Sequence, residues 1–138
     1  MWPIRSALFV PAHRRDWVGK AIRVSPGAAV LDIEDSVPPE FKPQAMANLH
    51  AEIAELREAG VGAFVRVNPL SDRTGEEIAA AMTEGLTAII LPKAATPDEI
   101  RRHDDALRRR EHRERESNRR KEARLITAAL DNAEATQP

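Results

Sequence analysis

Four short apolar runs recur along the first two thirds of the chain, and stretches with helical character separate them. The runs are Ser6–Pro11, Ala28–Ile33, Gly62–Val67 and Thr87–Pro92. Each run is almost continuously apolar, as is usual for parallel strands that are covered on both faces. The pattern therefore predicts four strands of a parallel sheet.

The stretches after these runs predict four helices. They span Asp16–Val24, Lys42–Ala59 and Thr74–Glu84, and the fourth runs from Pro97 to about residue 112. Gly60 is placed to end the second helix, because glycine is the usual residue just past a helix C-terminus. Thr96 and Glu99 flank Pro97 as a capping box, which predicts the start of the fourth helix.

The predicted elements alternate as a strand followed by a helix, four times over. Such alternation favours right-handed strand–helix–strand units and a parallel sheet, so the fold class is α/β. Two architectures remain open from this pattern, a doubly wound open sheet and part of a (β/α)8 barrel. In both of them, functional side chains lie at the carboxyl ends of the strands.

Three carboxylates stand at the end of the second predicted strand, in the stretch VLDIEDSVPPE. Side chains alternate along a strand, so Asp32 and Glu34 share one face and Asp35 takes the other. Two carboxylates on one face need a cation or a proton between them, and Mg²⁺ often takes only one or two protein carboxylates. Alternatively, Asp32 pairs with an arginine and Asp35 caps the following turn.

Two cations and an amide follow the third and fourth predicted strands. Arg66 lies in an apolar strand end, where its fork could bind a substrate carboxylate or neutralise Asp32 or Glu34. Asn68 shares the face of Arg66, and Lys93 is either a second cation at the same rim or a solvated loop residue.

Basic residues surround the first predicted strand and helix, in RSALFVPAHRRDWVGKA. Those that could form a phosphate-binding corner are Arg5, Arg14, Arg15 and Lys20. The chain has no glycine-rich phosphate loop, which argues against a dinucleotide or nucleoside triphosphate site. His13 could act as a base, although a lone loop histidine is more often an exposed polar residue.

The composition, 42% hydrophobic and 31% charged without cysteine, is that of a soluble protein without disulfides. No apolar run approaches the roughly 20 residues of a membrane span and no signal peptide is evident, so we expect a cytoplasmic protein without a membrane partner. Residues 101–124 hold 11 Lys or Arg and 6 Asp or Glu, against 10 and 16 in the rest. Positive and negative side chains alternate in this segment, and no aromatic residues lie between them. We therefore expect residues 113–138 to form a charged helical or disordered tail, with no nucleic-acid partner.

Four motifs occur in an order and spacing that identify a family: RSALFVPAHRRDWVGKA, AAVLDIEDSVPPEFK, FVRVNPL and AIILPKAATPDEI. Together they resemble the HpcH/HpaI aldolase and citrate lyase beta subunit family, which includes the malyl-CoA and citramalyl-CoA lyases. The resemblance covers residues 5 to about 100. It implies the N-terminal half of a (β/α)8 TIM-type barrel, with residues 1–100 as a partial barrel domain of four βα units.

The resemblance also implies an activity. Members of the family cleave a carbon–carbon bond of a 3-hydroxyacyl-CoA or acyl-carrier thioester, by a retro-aldol or Claisen-type reaction that Mg²⁺ assists. The ion would polarise the substrate oxygens and stabilise the enolate that forms. The implied protein is therefore a lyase and a homo-oligomer that binds a small thioester substrate.

Residue-by-residue carry-over from the family assigns roles at the strand ends. Arg66, Glu34 and Asp35 resemble the catalytic group, in which Arg66 binds the substrate carboxylate. The resemblance therefore implies that Arg66→Ala abolishes binding of a substrate carboxylate while leaving the fold nearly intact. Asp32, Glu34 and Asp35 resemble the acidic strand end beside Mg²⁺, which they would contact through water or through other ligands. No direct metal ligand is matched in this chain.

A second set of positions is predicted to bind the substrate. It consists of Arg66, Phe9, Arg14, Lys20, Asn68 and Lys93. Within this set, Phe9, Arg14 and Lys20 match positions that hold the CoA part of the substrate in the malyl-CoA lyase branch.

Two departures from the family pattern affect the functional expectation. Ala12 stands where the family usually has glycine. The family's direct Mg²⁺ ligands are a glutamate on the next strand and a later aspartate; here Ile126 is followed directly by Thr127, and neither acid is present. Two hypotheses therefore stand: a lyase of the family, or a truncated, non-catalytic half-barrel that acts as a binding or assembly piece.

Overall fold

The computed structural model describes residues 4–134, with side chains for residues 4–117. Its sheet has four parallel strands in the order β1-β2-β3-β4. These are β1 Ala7–Pro11, β2 Ala28–Asp32, β3 Gly62–Arg66 and β4 Leu86–Ile90. The four predicted strands are confirmed, with ends that differ by one or two residues.

A helix follows every strand. The helices are α1 Asp16–Arg23, α2 Lys42–Glu58, α3 Thr74–Ala81 and α4 Pro97–Glu134, and a 3-10 turn, Pro39–Phe41, precedes α2. Helix α3 ends earlier than predicted, because Met82 is extended and Gly85 takes a φ of 100°, a conformation that favours glycine.

Helix α4 continues well past residue 112. Ion pairs between residues three or four apart support its exposed face, among them Arg101 with Asp98 and Arg108 with Asp104. The division into a partial barrel domain and a separate tail stays a prediction. Residues 135–138 of that tail, and the side chains of Ile126 and Thr127, lie outside the described part of the chain. None of the described helices, long α4 included, is apolar enough to cross a membrane.

The strand order separates the two architectures that the pattern left open. Each strand pairs with its neighbour along the chain, and right-handed crossovers then place the helices on one face of the sheet. The helices pack in sequence, α1 against α2, α2 against α3 and α3 against α4. A doubly wound sheet needs a reversal of strand order, which these four strands lack. The arrangement is that of consecutive units of a (β/α)8 barrel.

The core lies between the sheet and its helices. Val10, Leu31 and Val65 stand side by side on β1, β2 and β3, and all are buried. The residues of α2 that pack in this core are Ala45, Leu49, Ile53 and Leu56. Because side chains alternate along a strand, the next pair in register, Asp32 and Arg66, lies on the opposite face. The polar strand ends therefore open onto the face that the helices do not cover.

Both predicted helix boundaries are confirmed by their hydrogen bonds. Gly60 takes a φ of 72° and donates to the Arg57 carbonyl, while the N–H of Val61 donates to the Leu56 carbonyl, which together make a Schellman end for α2. At the start of α4, the Glu99 N–H donates to Thr96 Oγ1 and the Thr96 N–H donates to Glu99 Oε2. These contacts set the entrance and exit of the helices around the sheet.

Candidate functional site

A buried ion pair joins the ends of β2 and β3. The register sets Asp32 opposite Arg66, whose Nε donates to Oδ1 at 2.8 Å and whose Nη2 donates to Oδ2 at 2.6 Å. The Asp32 side chain is fully buried, and that of Arg66 is 23% exposed. This two-point contact is the strongest geometry between a guanidinium and a carboxylate. The interpretation in which Asp32 pairs with an arginine is confirmed, and the pair fixes the orientation of Arg66.

Asp32 is charged in spite of its burial. It also accepts hydrogen bonds from the backbone N–H groups of Glu34 at 2.9 Å and Ser36 at 3.1 Å. Burial by itself would raise the pKa of Asp32, but the bonds from Arg66, Ser36 and Glu34 outweigh it and lower the pKa to about 2. In turn, the bond to Asp32 raises the pKa of Arg66. The carboxylate that caps the turn after β2 is thus Asp32 rather than Asp35.

Glu34 lies on the same face as Asp32 and is held by two cations. Its Oε2 lies 3.2 Å from Arg66 Nη1 and its Oε1 lies 2.9 Å from Lys93 Nζ. Each buried oxygen thus faces one cation, and the carboxylate is neutralised from the ends of β3 and β4. Glu34 is therefore a buried acid whose partners are both positively charged side chains of the rim.

Lys93 closes the rim of this charged cluster. It also donates to the two oxygens of the exposed Asp35, at 3.1 and 3.2 Å. The contacts with Glu34 and then Asp35 raise the pKa of Lys93, so the ammonium stays charged. The backbone of Lys93 has a φ of 49°, which is unusual for a residue other than glycine. The side chain is exposed, yet it is an ion-paired rim residue rather than a freely solvated one.

A partly buried set of polar contacts among Lys42, Asn68 and Glu77 stands behind the cluster, and of these residues the sequence analysis named only Asn68 as a site residue. Lys42 Nζ donates to the carbonyl oxygens of Ile33 at 3.1 Å and Glu34 at 3.2 Å, and also contacts Asn68 Oδ1. The N–H and the Nδ2 of Asn68 each donate to Glu77 at 2.9 Å. A lysine in the first turn of a helix opposes the helix dipole, and that was the available signal for Lys42.

These contacts bear on the prediction for Asn68. Its Nδ2 also donates to the Ile33 carbonyl at 3.1 Å, so both ends of its amide are engaged with protein groups. In this structure Asn68 ties α3 to the ends of β2 and β3. Its predicted contact with the substrate stays a prediction.

An open groove runs between the outer edge of β1 and α1. It encloses about 450 Å³, and its lining residues are Leu8, Phe9, Val10, Trp17, Lys20, Ala21 and Val24. Arg14 and Lys20 lie over the ring of Trp17, 4.8 and 5.7 Å from its centroid. Of the three positions predicted to hold CoA, Phe9 and Lys20 line this groove, and Arg14 lies beside it on the Trp17 ring. Phe9 is 49% exposed, and Arg66 lies 4.9 Å above its ring, which connects the groove with the ion pair.

The other candidates near the first strand lie apart from these groups. Arg5 and Arg15 are exposed, and His13 stacks on Phe41 with ring centroids 5.3 Å apart. Ala12 is buried, donates to the Asp32 carbonyl at 3.0 Å and does not take a positive φ. The change from glycine at position 12 is therefore accommodated without backbone strain.

The implied Mg²⁺ finds no direct set of ligands in the described part of the chain. There, no group of three or more His, Cys, Asp or Glu side chains could hold a metal ion. The oxygens of Asp32 are fully engaged, and Asp35 is exposed and paired with Lys93. Arg66 and Lys93 already face the two oxygens of Glu34. These residues fit at most a contact with the ion through water.

The comparisons with known proteins agree with the strand-end motifs. The family model described as HpcH/HpaI aldolase/citrate lyase matches residues 5–136, nearly the whole chain. The chain belongs to this family. A citrate lyase subunit beta-like protein of Deinococcus radiodurans is 34% identical over 111 residues, and the mitochondrial citramalyl-CoA lyase of Homo sapiens is 28% identical over 101 residues.

The two alignments cover most of this chain but a minority of each relative. They include 78% and 71% of the chain, against 39% of the bacterial protein and 30% of the human one. The chain therefore spans well under half the length of these HpcH/HpaI relatives. The predicted family is confirmed, while the activity of the whole relatives comes to this chain only as a proposal.

Proposed function

We propose that this chain forms part of the substrate site of a carbon–carbon lyase, which cleaves a 3-hydroxyacyl thioester by a retro-aldol or Claisen-type reaction. The observation that supports it most directly is the ion pair between Asp32 and Arg66. Two of the three guanidinium nitrogens are held by the buried carboxylate, and the third, Nη1, faces the rim between Glu34 and the Phe9 ring. A substrate carboxylate would bind at Nη1 and at the Lys93 ammonium.

The groove along β1 fits the thioester carrier in this proposal. Its apolar wall, with Phe9 and Trp17, suits a hydrocarbon chain or an adenine ring. Lys20 and Arg14 would bind phosphate groups in exchange for their exposed ion pairs with Asp16, at 3.1 and 3.3 Å. Arg66 lies over Phe9, so a molecule in the groove would extend toward the charged cluster. The proposed protein is a cytoplasmic homo-oligomer with a CoA or acyl-carrier thioester as its partner.

The charges at the rim set a condition on this chemistry. The cluster carries a net charge of -1, because it has three carboxylates, Asp32, Glu34 and Asp35, and two cations, Arg66 and Lys93. An incoming carboxylate therefore needs a further cation nearby, which agrees with the Mg²⁺ that the resemblance implies. Because the described residues give that ion no direct ligands, we assign it no step. The chain's own part is to orient Arg66 through Asp32 and to place Lys93 through Glu34.

A second candidate function rests on the lack of direct Mg²⁺ ligands among the described residues. If the lack of direct metal ligands among the described residues holds for the whole chain, it would bind a thioester carrier in the β1 groove and support assembly without turnover. The unpaired edges of β1 and β4 would favour association with another sheet edge.

The deciding experiment measures the release of acetyl-CoA or propionyl-CoA from a panel of 3-hydroxyacyl-CoA substrates, with Mg²⁺ and with EDTA. The purified chain is assayed while its mass in solution is recorded. Turnover that EDTA removes supports the lyase. CoA binding by a folded sample without any turnover supports the non-catalytic alternative.

Arg66→Lys tests the role of the guanidinium within that assay. Lysine keeps a cation beside Asp32 but cannot hold Asp32 and a substrate carboxylate together. We expect kcat/KM to fall by about 100-fold, which corresponds to the loss of a charged hydrogen bond of about 3 kcal/mol. The matched control is Arg57→Lys, at an exposed ion pair with Glu84. Equal activity of both variants would remove Arg66 from the proposed site.

A further inference from the structure

A second cavity lies on the helical side of the fold, between the start of α3 and one face of α4. It encloses about 340 Å³, which lies in the range of cavities that bind small ligands. Its lining residues are Leu70, Ser71, Thr74, Gly75, Ala79, Arg102, Ala106, Arg109, Arg110 and Arg113. Among these described residues four are arginines and none is acidic. None of them belongs to the charged cluster at the ends of β2 and β3.

Two pairs of arginines on α4 differ in their partners. Arg101 binds Asp98 at 2.6 Å and Arg108 binds Asp104 at 2.7 Å, so both are neutralised along the helix. The cavity arginines Arg109 and Arg113, in contrast, have no ion-pair partner among the described side chains. Both are exposed like the first pair, but they border the cavity and bring it two cations that no ion pair neutralises.

Arg110 adds a donor that is already removed from water. Its Nη2 lies 3.1 Å from Glu114 Oε1, while its Nε is buried and has no hydrogen-bond acceptor among the residues whose side chains are described. A buried donor without an acceptor is unfavourable, and an anion in the cavity would supply one.

The size and charge of the cavity indicate the chemical class of that anion. Guanidinium forks bind phosphate oxygens in two-point geometry. Glu114 engages only Nη2 of Arg110, and the cavity lining itself has no acidic residue that would compete for Arg109 and Arg113. Arg102 and Arg113 are 11 positions apart, or roughly 16 Å along a helix, so the basic stripe is longer than a single phosphate. We propose that this cavity binds a diphosphate group, contacted by Arg109, Arg110 and Arg113. This binding does not depend on the proposed lyase activity.

Isothermal titration calorimetry on the whole chain tests the proposal. The probes are inorganic pyrophosphate, inorganic phosphate and ADP, each titrated at low and at physiological salt. We expect pyrophosphate to bind at least about tenfold more tightly than phosphate, because two phosphate groups engage more arginines. Tighter binding of ADP than of pyrophosphate would identify a nucleotide as the source of the diphosphate, and the reverse order would identify the free anion.

Two double variants separate the cavity from the general charge of the helix. Arg109→Gln with Arg113→Gln changes the cavity, and Arg101→Gln with Arg108→Gln makes the same change of charge on the solvent face. We expect the first pair to weaken pyrophosphate binding by at least about tenfold and the second by less than about twofold. Glutamine keeps helix propensity, and circular dichroism checks that both variants retain their helical content.

Several results would overturn the proposal. One is wild-type protein that binds none of the three probes, and another is equal weakening by the two double variants. A third is tighter binding of a single-stranded oligonucleotide than of ADP with equal loss in both variants, which would assign the charge to nucleic acid instead.

Discussion

Two carboxyl groups of this chain are equally buried and yet chemically opposite. Asp32, at the end of β2, and Glu52, in the middle of α2, both have no exposed surface. Asp32 accepts four hydrogen bonds, two of them from Arg66, and its pKa is about 2. Neither oxygen of Glu52 has a hydrogen-bond partner, and burial raises its pKa to about 8 in spite of Arg15. Burial alone therefore does not set the charge of a carboxyl group; its donors do.

The difference follows from the place of each group in the fold. The end of a parallel strand offers free backbone N–H groups from the following turn and a side chain from the next strand. The middle of a helix offers neither, because its N–H groups are already bonded within the helix. Glu52 stands between Leu49, Ile53 and Leu56, so it is a neutral member of an apolar surface at neutral pH. The charged carboxylate lies at the candidate site, and the neutral one lies in the core.

The substitution with the largest expected effect on stability removes Arg66, the ion-pair partner of Asp32. Arg66→Ala leaves a fully buried carboxylate without its cation, so we expect a loss of about 3–5 kcal/mol in the free energy of unfolding. This revises the expectation from sequence that the fold of this variant stays nearly intact. Urea denaturation at pH 7 measures the loss.

The control for Arg66→Ala is a surface ion pair on the same chain. Arg57 Nη1 lies 2.7 Å from Glu84 Oε1, and both side chains are more than half exposed. Arg57→Ala should therefore cost at most about 1 kcal/mol. Equal losses in the free energy of unfolding for the two variants would mean that another group neutralises Asp32 when Arg66 is absent. Adding Asp32→Leu to Arg66→Ala should recover part of the loss, because no buried charge then remains unpaired.

The pH dependence of the free energy of unfolding tests whether Glu52 is neutral in the folded protein. The folded-state pKa of Glu52, about 8, lies above its ordinary value of 4.5. Its contribution to stability is therefore complete below about pH 4.5 and is lost as the pH rises toward 8. We expect the free energy of unfolding to fall by about 1.4 kcal/mol per pH unit in this interval. Glu52→Met should abolish most of this slope and be more stable than the natural chain at pH 8.

The matched control for Glu52→Met is Glu58→Met on the exposed side of the same helix. It changes the net charge by the same amount but should leave the slope between pH 5 and 8 in place. Urea denaturation in steps of one pH unit measures both. Parallel curves for Glu52→Met and the natural chain would show that Glu52 is charged and paired in solution.

The sequence predicted the charged strand ends around Asp32 far better than the buried, neutral Glu52 of α2. The strands, the α/β class and the position of Asp32, Glu34 and Arg66 followed from short apolar runs that end in charged residues. Two interpretations of Asp32 remained open, because only the register of β2 and β3 brings Arg66 to it. Glu52 gave no signal, since an acid within a helix usually faces solvent and the direction of its side chain depends on packing. Lys42 and Asn68 meet only after β2, β3 and α2 assemble.

Glu77 is an intermediate case, and its substitution has the smallest expected effect. It is a buried carboxylate that accepts two hydrogen bonds from Asn68, at 2.9 Å each, without the arginine that Asp32 has. In Glu77→Gln the side chain keeps an oxygen for one of the two donors, but its amide then faces the Asn68 amide. We expect a loss of about 1 kcal/mol in urea denaturation, with Glu76→Gln on the exposed face near zero. A loss as large as that of Arg66→Ala would mean that Glu77 needs its charge, and that Lys42 neutralises it through Asn68. A loss near zero would mean that neutral hydrogen bonds suffice at this end of β3, so that the arginine at Asp32 has a purpose beyond stability.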